Sequence, residues 1–380
     1  MTPQTILLFL IAFLVGSDEF LLGPILTPIG ADLGVAPERV TLFIGAYALP
    51  LALLSPVLGG LSDRIGRRRV LLPSVVLFCL GSLGTALAPG FGAALATRVL
   101  TGIGAAGMLP IAFASAADSG PSRAPANIAA VQAGLTTGII LAPLYGSAVT
   151  NLLGWHWAFA GLAAAGAVSV LGLRWLPGGV SHGGAAPMSG PILVPGAFSA
   201  ILAMGLGLGG AIGILAIAGE RIREITDLGT GGVGAIYAGF GVATLAGNLL
   251  MPLVMGGVRD GRQLVQLCLI GVLAAIAAFF ALPLGLVTAS LAMALWAVLG
   301  GLGAPGLQTY LAGLSESRIG VLMALGASAM NLGVAVWSAV AASLFAVGSI
   351  LVAGLALTLI GIACIALMPP KSARAPNANH

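Results

Sequence analysis

The sequence predicts an all-α membrane protein: twelve transmembrane helices in two six-helix bundles around a central cavity. Three observations carry the prediction. Of 380 residues, 59% are hydrophobic and only 7% charged, where an ordinary soluble domain holds roughly 25% charged residues. That is too few charges to coat a water-exposed surface. Apolar stretches long enough to cross the hydrocarbon core, about 20 residues each, recur twelve times. A breaker-rich stretch, "GGVSHGGAAPMSGP" at 178–191, then divides the chain into near-equal halves.

In order, the predicted spans are 6–29, 40–61, 70–88, 92–115, 127–150 and 156–176, then 192–216, 232–256, 263–283, 286–310, 319–345 and 348–368. The separators are short turn-formers such as "APGFG" and "GPSRAPAN". The ten-residue polar–apolar alternation of a membrane barrel is absent. The expected domains are a bundle at 1–177, a flexible cytoplasmic linker at 178–191 and a second bundle at 192–380.

Basic residues orient the chain. Arg64, Arg67, Arg68, Arg69, Arg123, Arg174, Arg259, Arg262, Arg318, Lys371 and Arg374 fall on one side of the even-span topology, and Arg39, Arg221 and Arg223 on the other. Eleven against three places both termini in the cytoplasm. The net charge of +4 is thus a matter of topology, and no nucleic-acid partner is implied. The opening "MTPQTILLFLIAFLVG" has no basic start and runs straight into a span, so no cleavable signal is expected.

Several chemistries are excluded. Cys79, Cys268 and Cys364 lie singly in apolar spans and read as small buried hydrophobes. His156, His182 and His380 are scattered, so no metal-ligand cluster forms. No Ser-His-Asp or Cys-His arrangement supports an enzyme. "GIGAAG" (Gly102 to Gly107), "GLGLGG" (Gly205 to Gly210) and "GLGAPG" (Gly301 to Gly306) match a dinucleotide pattern. That pattern needs a strand before it and a soluble helix after it, and within spans such glycines serve close helix packing instead.

Span 1 carries an anomaly, "LVGSDEFLLGP", with Asp18 and Glu19 side by side. With Arg98 of span 4 they are the only Asp, Glu, Lys or Arg deep in any predicted span. Each costs about 2.5–3.5 kcal/mol at mid-bilayer on insertion scales, so they must face a wet cavity or one another. At a rise of about 1.5 Å per residue, Asp18 and Arg98 reach similar depths from opposite sides. Adjacent helix residues point about 100° apart, so the two acids are not expected to share one role. A structural ion pair tying span 1 to span 4 is one reading. The other is proton coupling: burial favours the neutral carboxyl and a nearby guanidinium the charged one, so a movement that wets or separates the pair switches proton affinity.

The loop "GGLSDRIGRRRV", Gly59 to Val70, has the spacing G-x-L-x-D-R-x-G-R-R. It resembles the signature loop of the major facilitator superfamily, and a degenerate echo, "GGVRDGR", starts at Gly256, 197 residues later, as an internally repeated transporter requires. "RVLTGIGAAG" from Arg98 is similar to that family's span-4 pattern. Gly134, Gly138, Pro143 and Gly146 resemble its antiporter motif, with Ala142 and Ser147 in place of two glycines. Span 1, with an acid at Asp18, and "GWHWAF" from Gly154 are similar to twelve-span drug/proton antiporters.

The resemblance implies proton-coupled multidrug efflux by alternating access, in a cell membrane and most simply a bacterial inner membrane. It implies a monomer whose partners are a small-molecule substrate, protons and lipids, with the proton gradient in place of any cofactor. The expected cavity is bounded by spans 1, 2, 4, 5, 7, 8, 10 and 11. Asp18, Glu19 and Arg98 are the proton-coupling group, Asp18 titrating and Glu19 supplementing the cavity's charge. Gly59, Asp63, Arg64, Gly66, Arg67, Arg68 and Asp118 form a gate, with Asp63 approaching span 11 and the arginines meeting Asp118. Among polar and aromatic residues within spans, Tyr47, Gln132, Thr136, Asn248, Trp296 and Asn331 are the candidate substrate contacts. Mostly apolar walls fit lipophilic or cationic molecules. The alternative, export of a sugar or other polar metabolite, needs a denser polar lining.

Overall fold

The structure is a computed structural model that describes residues 2–176, 194–255, 261–315 and 319–368. Among the described residues, twelve helices are long and apolar enough to cross a membrane and no strand occurs. Spans 1 to 6 are Pro3–Phe20, Pro37–Ile65, Arg67–Ala86, Phe91–Ala117, Ala124–Leu153 and Trp155–Trp175. Spans 7 to 12 are Ala197–Ile225, Thr230–Val254, Arg262–Ala281, Leu286–Gly313, Gly320–Phe345 and Ser349–Ala366. The expected linker, 178–191, and most of the second-half loop echo, 256–260, lie outside the described residues.

Local chemistry sets the helix ends. Thr2 caps span 1 by accepting the Thr5 amide at 3.2 Å, with Pro3 in the first turn. Spans 2 and 3 are separated by Gly66 alone, at φ 103°, a conformation that side chains with a Cβ rarely adopt. Span 1 breaks after Phe20 because Pro24 has no N–H to return to the Phe20 carbonyl. The chain tightens into a 3₁₀ turn at Gly23–Ile25 and resumes as Leu26–Leu33.

Span 7 departs from the sequence expectation. The helix does not end at 216 but runs to Ile225, with a π-helical stretch at Ala203–Gly209. The extension holds despite four charged residues because they pair at once, Arg223 with Glu220 and Arg221 with Glu224. Arg221 also donates to the Phe279 and Leu282 carbonyls at the end of span 9.

Packing shows the internal repeat directly. In the first half, span 1 packs on 5, span 2 on 4, span 3 on 4 and span 3 on 6. Adding six to each number gives the main pairs of the second half: 7 on 11, 8 on 10, 9 on 10 and 9 on 12. The halves meet through span 2 against 11 and span 5 against 8, which the same shift interconverts. Within the spans, Leu152 and Leu253 are more than three-quarters exposed (80% and 76%), as expected of side chains whose solvent is lipid.

Glycines set the spacing between helices. A Cβ on Gly134 would lie 2.1 Å from the Phe9 carbonyl oxygen, and one on Gly138 2.5 Å from that of Phe13. The three dinucleotide look-alikes act in the same way: Gly102 abuts the backbone of Tyr47, Gly209 that of Met330 and Gly301 that of Thr244.

Among the described residues, the glycines that bring the halves into close contact lie away from the face that carries the start of span 1 and the end of span 12. Gly45 abuts Ala335, Gly234 abuts Pro143 and Ser147, and Gly241 abuts Ile140. These positions all fall in the half of their spans remote from the termini, so the molecule is drawn together at that far face.

Candidate functional site

Four spans of the first half converge on Arg98. Its guanidinium forms a two-pronged pair with Asp18, Nη1 donating to Oδ1 at 2.7 Å and Nη2 to Oδ2 at 2.6 Å. Both side chains are fully buried. The guanidinium carbon lies 4.9 Å from the centre of the Tyr47 ring and 5.4 Å from that of Phe159, within the range of cation–π attraction. Spans 1, 2, 4 and 6 therefore each contribute one residue. The planar guanidinium fork matches a carboxylate in a way that lysine would not. Its Nε has no hydrogen-bond partner among the described residues.

Glu19, one residue on, lies elsewhere. It is half-buried, makes no ion pair among the described residues, and lines a pocket between the halves. Phe20 of span 1, Gly23 of the turn after it and Ile44 of span 2 form one side of the pocket. Ile212, Leu215 and Ala216 of span 7, Tyr237 of span 8 and Val334 of span 11 form the other. The walls are apolar apart from the Glu19 carboxylate and the Tyr237 phenol. That phenol is already engaged, donating to the Leu215 carbonyl at 2.6 Å and accepting the Gly219 amide at 3.0 Å. Gly23 packs flat on the Tyr237 ring, where a Cβ would fall 2.4 Å from a ring carbon.

None of the six candidate substrate contacts is among the residues that line this pocket. Tyr47 is buried beside Arg98, with its hydroxyl 3.5 Å from the Val15 carbonyl. Gln132 and Thr136 bond within their own helix, as does Asn331 to the Ala327 carbonyl. Trp296 is buried edge-on to Phe240, and Asn248 lies where span 8 abuts Gly301 of span 10. The pocket residues that sequence reasoning missed are mostly Ile, Leu, Val and Ala, which carry no signal in a chain this apolar. Tyr237, one of four tyrosines, was the legible exception.

The loop between spans 2 and 3 gathers around Arg67. It pairs with Asp63 within the loop, bonds Asp118 through Nε at 2.9 Å and donates to the Ser62 hydroxyl at 2.8 Å. Arg64 and Arg68 are exposed. The structure thus brings Asp63, Gly66, Arg67 and Asp118 together, while Asp63 itself is half exposed. Gly59 has no atom within 4 Å of where its Cβ would be.

The second half was expected to hold no ionisable group deep in a span; the structure adds a buried carboxylate near the far end of span 7. Glu220 of span 7 is 8% exposed. It lies beyond the predicted end of that span, which is why hydropathy alone left it out.

Two sets of six spans with the same packing pattern thus meet at a pocket whose carboxylate makes no ion pair among the described residues. The chain belongs to the Major Facilitator Superfamily, whose sequence profile matches residues 8–338. It is 27% identical to the uncharacterized MFS-type transporter YtbD of Bacillus subtilis, over 88% of this chain and 87% of that one. It is 30% identical to the putative multidrug resistance protein MdtD of Cronobacter sakazakii, over 61% of this chain and 47% of that one. Among solved structures, a D-xylose-proton symporter superposes with a TM-score of 0.77 at 17% identity, covering 96% of each chain. At that identity the match speaks for the fold alone.

Proposed function

We propose that this transporter exports small lipophilic or cationic molecules in exchange for protons, by alternating access, with both termini in the cytoplasm. The observation that carries the reading is Glu19, a carboxylate held without an ionic partner in an apolar pocket between the halves. Such a group attracts a cation, and apolar walls accept the rest of a lipophilic molecule. When the halves move, the same carboxylate passes between a dry and a wet setting, and burial favours the protonated form. Substrate cation and proton then compete for one site, which is the minimum that antiport requires.

The sequence expectation assigned proton coupling to Asp18. The geometry favours Glu19 for that step, because Asp18 lies inside one half and a rigid rotation of the halves leaves its surroundings unchanged. The Asp18–Arg98 pair then fixes span 1 against span 4 and keeps Glu19 aimed at the boundary. The loop around Arg67, with its contacts to Asp63, Ser62 and Asp118, fits a cytoplasmic gate. Export of a polar metabolite is less well supported, since the pocket offers few hydrogen-bonding groups. Relatives named as multidrug resistance proteins support a reading of drug export.

The test is uphill transport in proteoliposomes under an imposed pH gradient, across lipophilic cations, neutral drugs and sugars. Glu19→Gln is expected to abolish accumulation of cations. Asp18→Asn is expected to lower the amount of folded protein more than the coupling of what remains. A Glu19→Gln protein that still concentrates cations against their gradient would overturn the reading.

A further inference from the structure

A buried polar cluster joins the halves directly above the pocket, at the far face. Thr27, on the short helix after the break in span 1, reaches both carboxylate oxygens of Glu220 at 2.8 and 2.9 Å. Arg223, one turn further along span 7, pairs with Glu220 through Nη1 at 2.8 Å and donates Nη2 to the Pro24 carbonyl at 2.7 Å. The side chains of Arg223 and Glu220 are only 17% and 10% exposed.

The sequence "GPILTPIG" explains why that carbonyl is available. In a continuous helix it would accept the N–H four residues on. That residue is Pro28, which has none. The turn after span 1 therefore presents an orphaned acceptor toward the second half, and Arg223 fills it. The backbones beneath are as close as they can be: a Cβ on Gly219 would fall 2.7 Å from the Gly23 carbonyl oxygen. Gly219 in turn donates to Tyr237, which lines the pocket.

We propose that Thr27, Glu220, Arg223 and the Pro24 carbonyl form the latch that holds the far face shut. The transporter cannot open its pocket to that side without breaking the Thr27–Glu220 and Arg223–Pro24 bonds together. Glu220 holds Arg223 in position, and Arg223 covers the acceptor that Pro28 leaves bare. The two interhalf bonds therefore act as one unit. The proposal rests on alternating access between the halves and needs neither the proton nor the substrate class.

Accessibility of the pocket from the far face tests it. Ile44→Cys supplies a thiol on the pocket wall below the latch, and the parent chain with its three native cysteines supplies the background. Labelling by a membrane-impermeant thiol reagent is followed in vesicles of both orientations. Thr27→Val, which removes only the hydroxyl, is expected to speed far-side labelling roughly tenfold, the population shift of one hydrogen bond to a charged group. Arg223→Gln should do the same, while Thr27→Ser, which restores the hydroxyl, should label at the parent rate. Parent-rate labelling in a Thr27→Val protein that melts normally would overturn the latch. So would acceleration in only one of Thr27→Val and Arg223→Gln, or equal acceleration in Thr27→Ser. If Thr27→Val does not fold, Arg223→Gln decides alone. Labelling needs no transport, so loss of the antiport reading would leave this result standing.

Discussion

Asp18 and Glu19 are neighbours in sequence and opposites in surroundings. Asp18 is fully buried inside the first half, with both carboxylate oxygens bonded to Arg98. Glu19 is half-buried at the boundary between the halves, without an ionic partner among the described residues. The rotation of about 100° per residue is enough to separate them. On the proposed reading, one carboxylate is thereby committed to architecture and the other left free for chemistry. Proximity in sequence says nothing about shared function once a helix lies between two compartments.

Three changes break or sharpen this contrast, and the largest effect is expected at Arg98. Arg98→Leu strands the Asp18 carboxylate in a dry site, and breaking a buried pair in this way costs about 3–5 kcal/mol. Thermal melting in detergent should fall sharply. The double change Asp18→Leu with Arg98→Met should recover most of the loss, because a buried pair replaced by apolar groups of similar volume is often neutral. If Arg98→Leu melts like the parent, the pair is not architectural and the contrast with Glu19 fails.

The second change acts on the rotation of span 1 itself. Gly138 of span 5 abuts that helix where a Cβ would lie 2.5 Å from the Phe13 carbonyl oxygen and 2.7 Å from the Ser17 amide nitrogen. Both contacts are backbone, so Gly138→Ala must displace or turn the segment that carries the two acids. Overpacking of this kind costs about 1–3 kcal/mol. Transport should fall further than melting does, because a small turn of span 1 moves Glu19 off the boundary. Parent-like transport in Gly138→Ala would show that the aim of Glu19 does not depend on this contact.

Much of this organisation was legible in the sequence, for physical reasons. Lipid demands long apolar runs, so twelve spans could be counted, and the cost of burying charge singled out Asp18, Glu19 and Arg98. The reach of an arginine was enough to pair Asp18 with Arg98. The loop from Gly59 was legible by its motif spacing, and one of its glycines, Gly66, takes a backbone conformation that side chains avoid. The pocket was not legible. In a chain that is 59% hydrophobic, an Ile or Leu facing a cavity looks like one facing lipid, and only helix rotation tells them apart. Selecting by polarity instead chose Gln132, Thr136 and Asn331, which do not line the pocket and make the hydrogen bonds they have within their own helices. The far-face cluster was missed because Glu220 and Arg223 make the end of span 7 read as a loop. Only tertiary pairing with Thr27 and Pro24 makes a buried helix of it.

The smallest effect is expected at Tyr47, and it decides what that residue is for. As a candidate substrate contact its hydroxyl would matter. In the structure the hydroxyl makes only a long 3.5 Å approach to the Val15 carbonyl, while the ring face lies 4.9 Å from the Arg98 guanidinium carbon. A ring held over a buried cation contributes about 2 kcal/mol or more, whereas a long hydrogen bond contributes well under the usual 0.5–1.5 kcal/mol. Tyr47→Phe keeps the ring and should change melting and transport by less than about 0.5 kcal/mol in either measure. Tyr47→Leu removes the ring face and should lose stability by an amount that disappears in the Asp18→Leu, Arg98→Met background, because the cation it covers is then absent. A selective loss of substrate affinity in Tyr47→Phe, with melting intact, would return Tyr47 to the substrate path. The Asp18–Arg98 pair would then have to be counted as part of the pocket, and not as the frame that aims Glu19 into it.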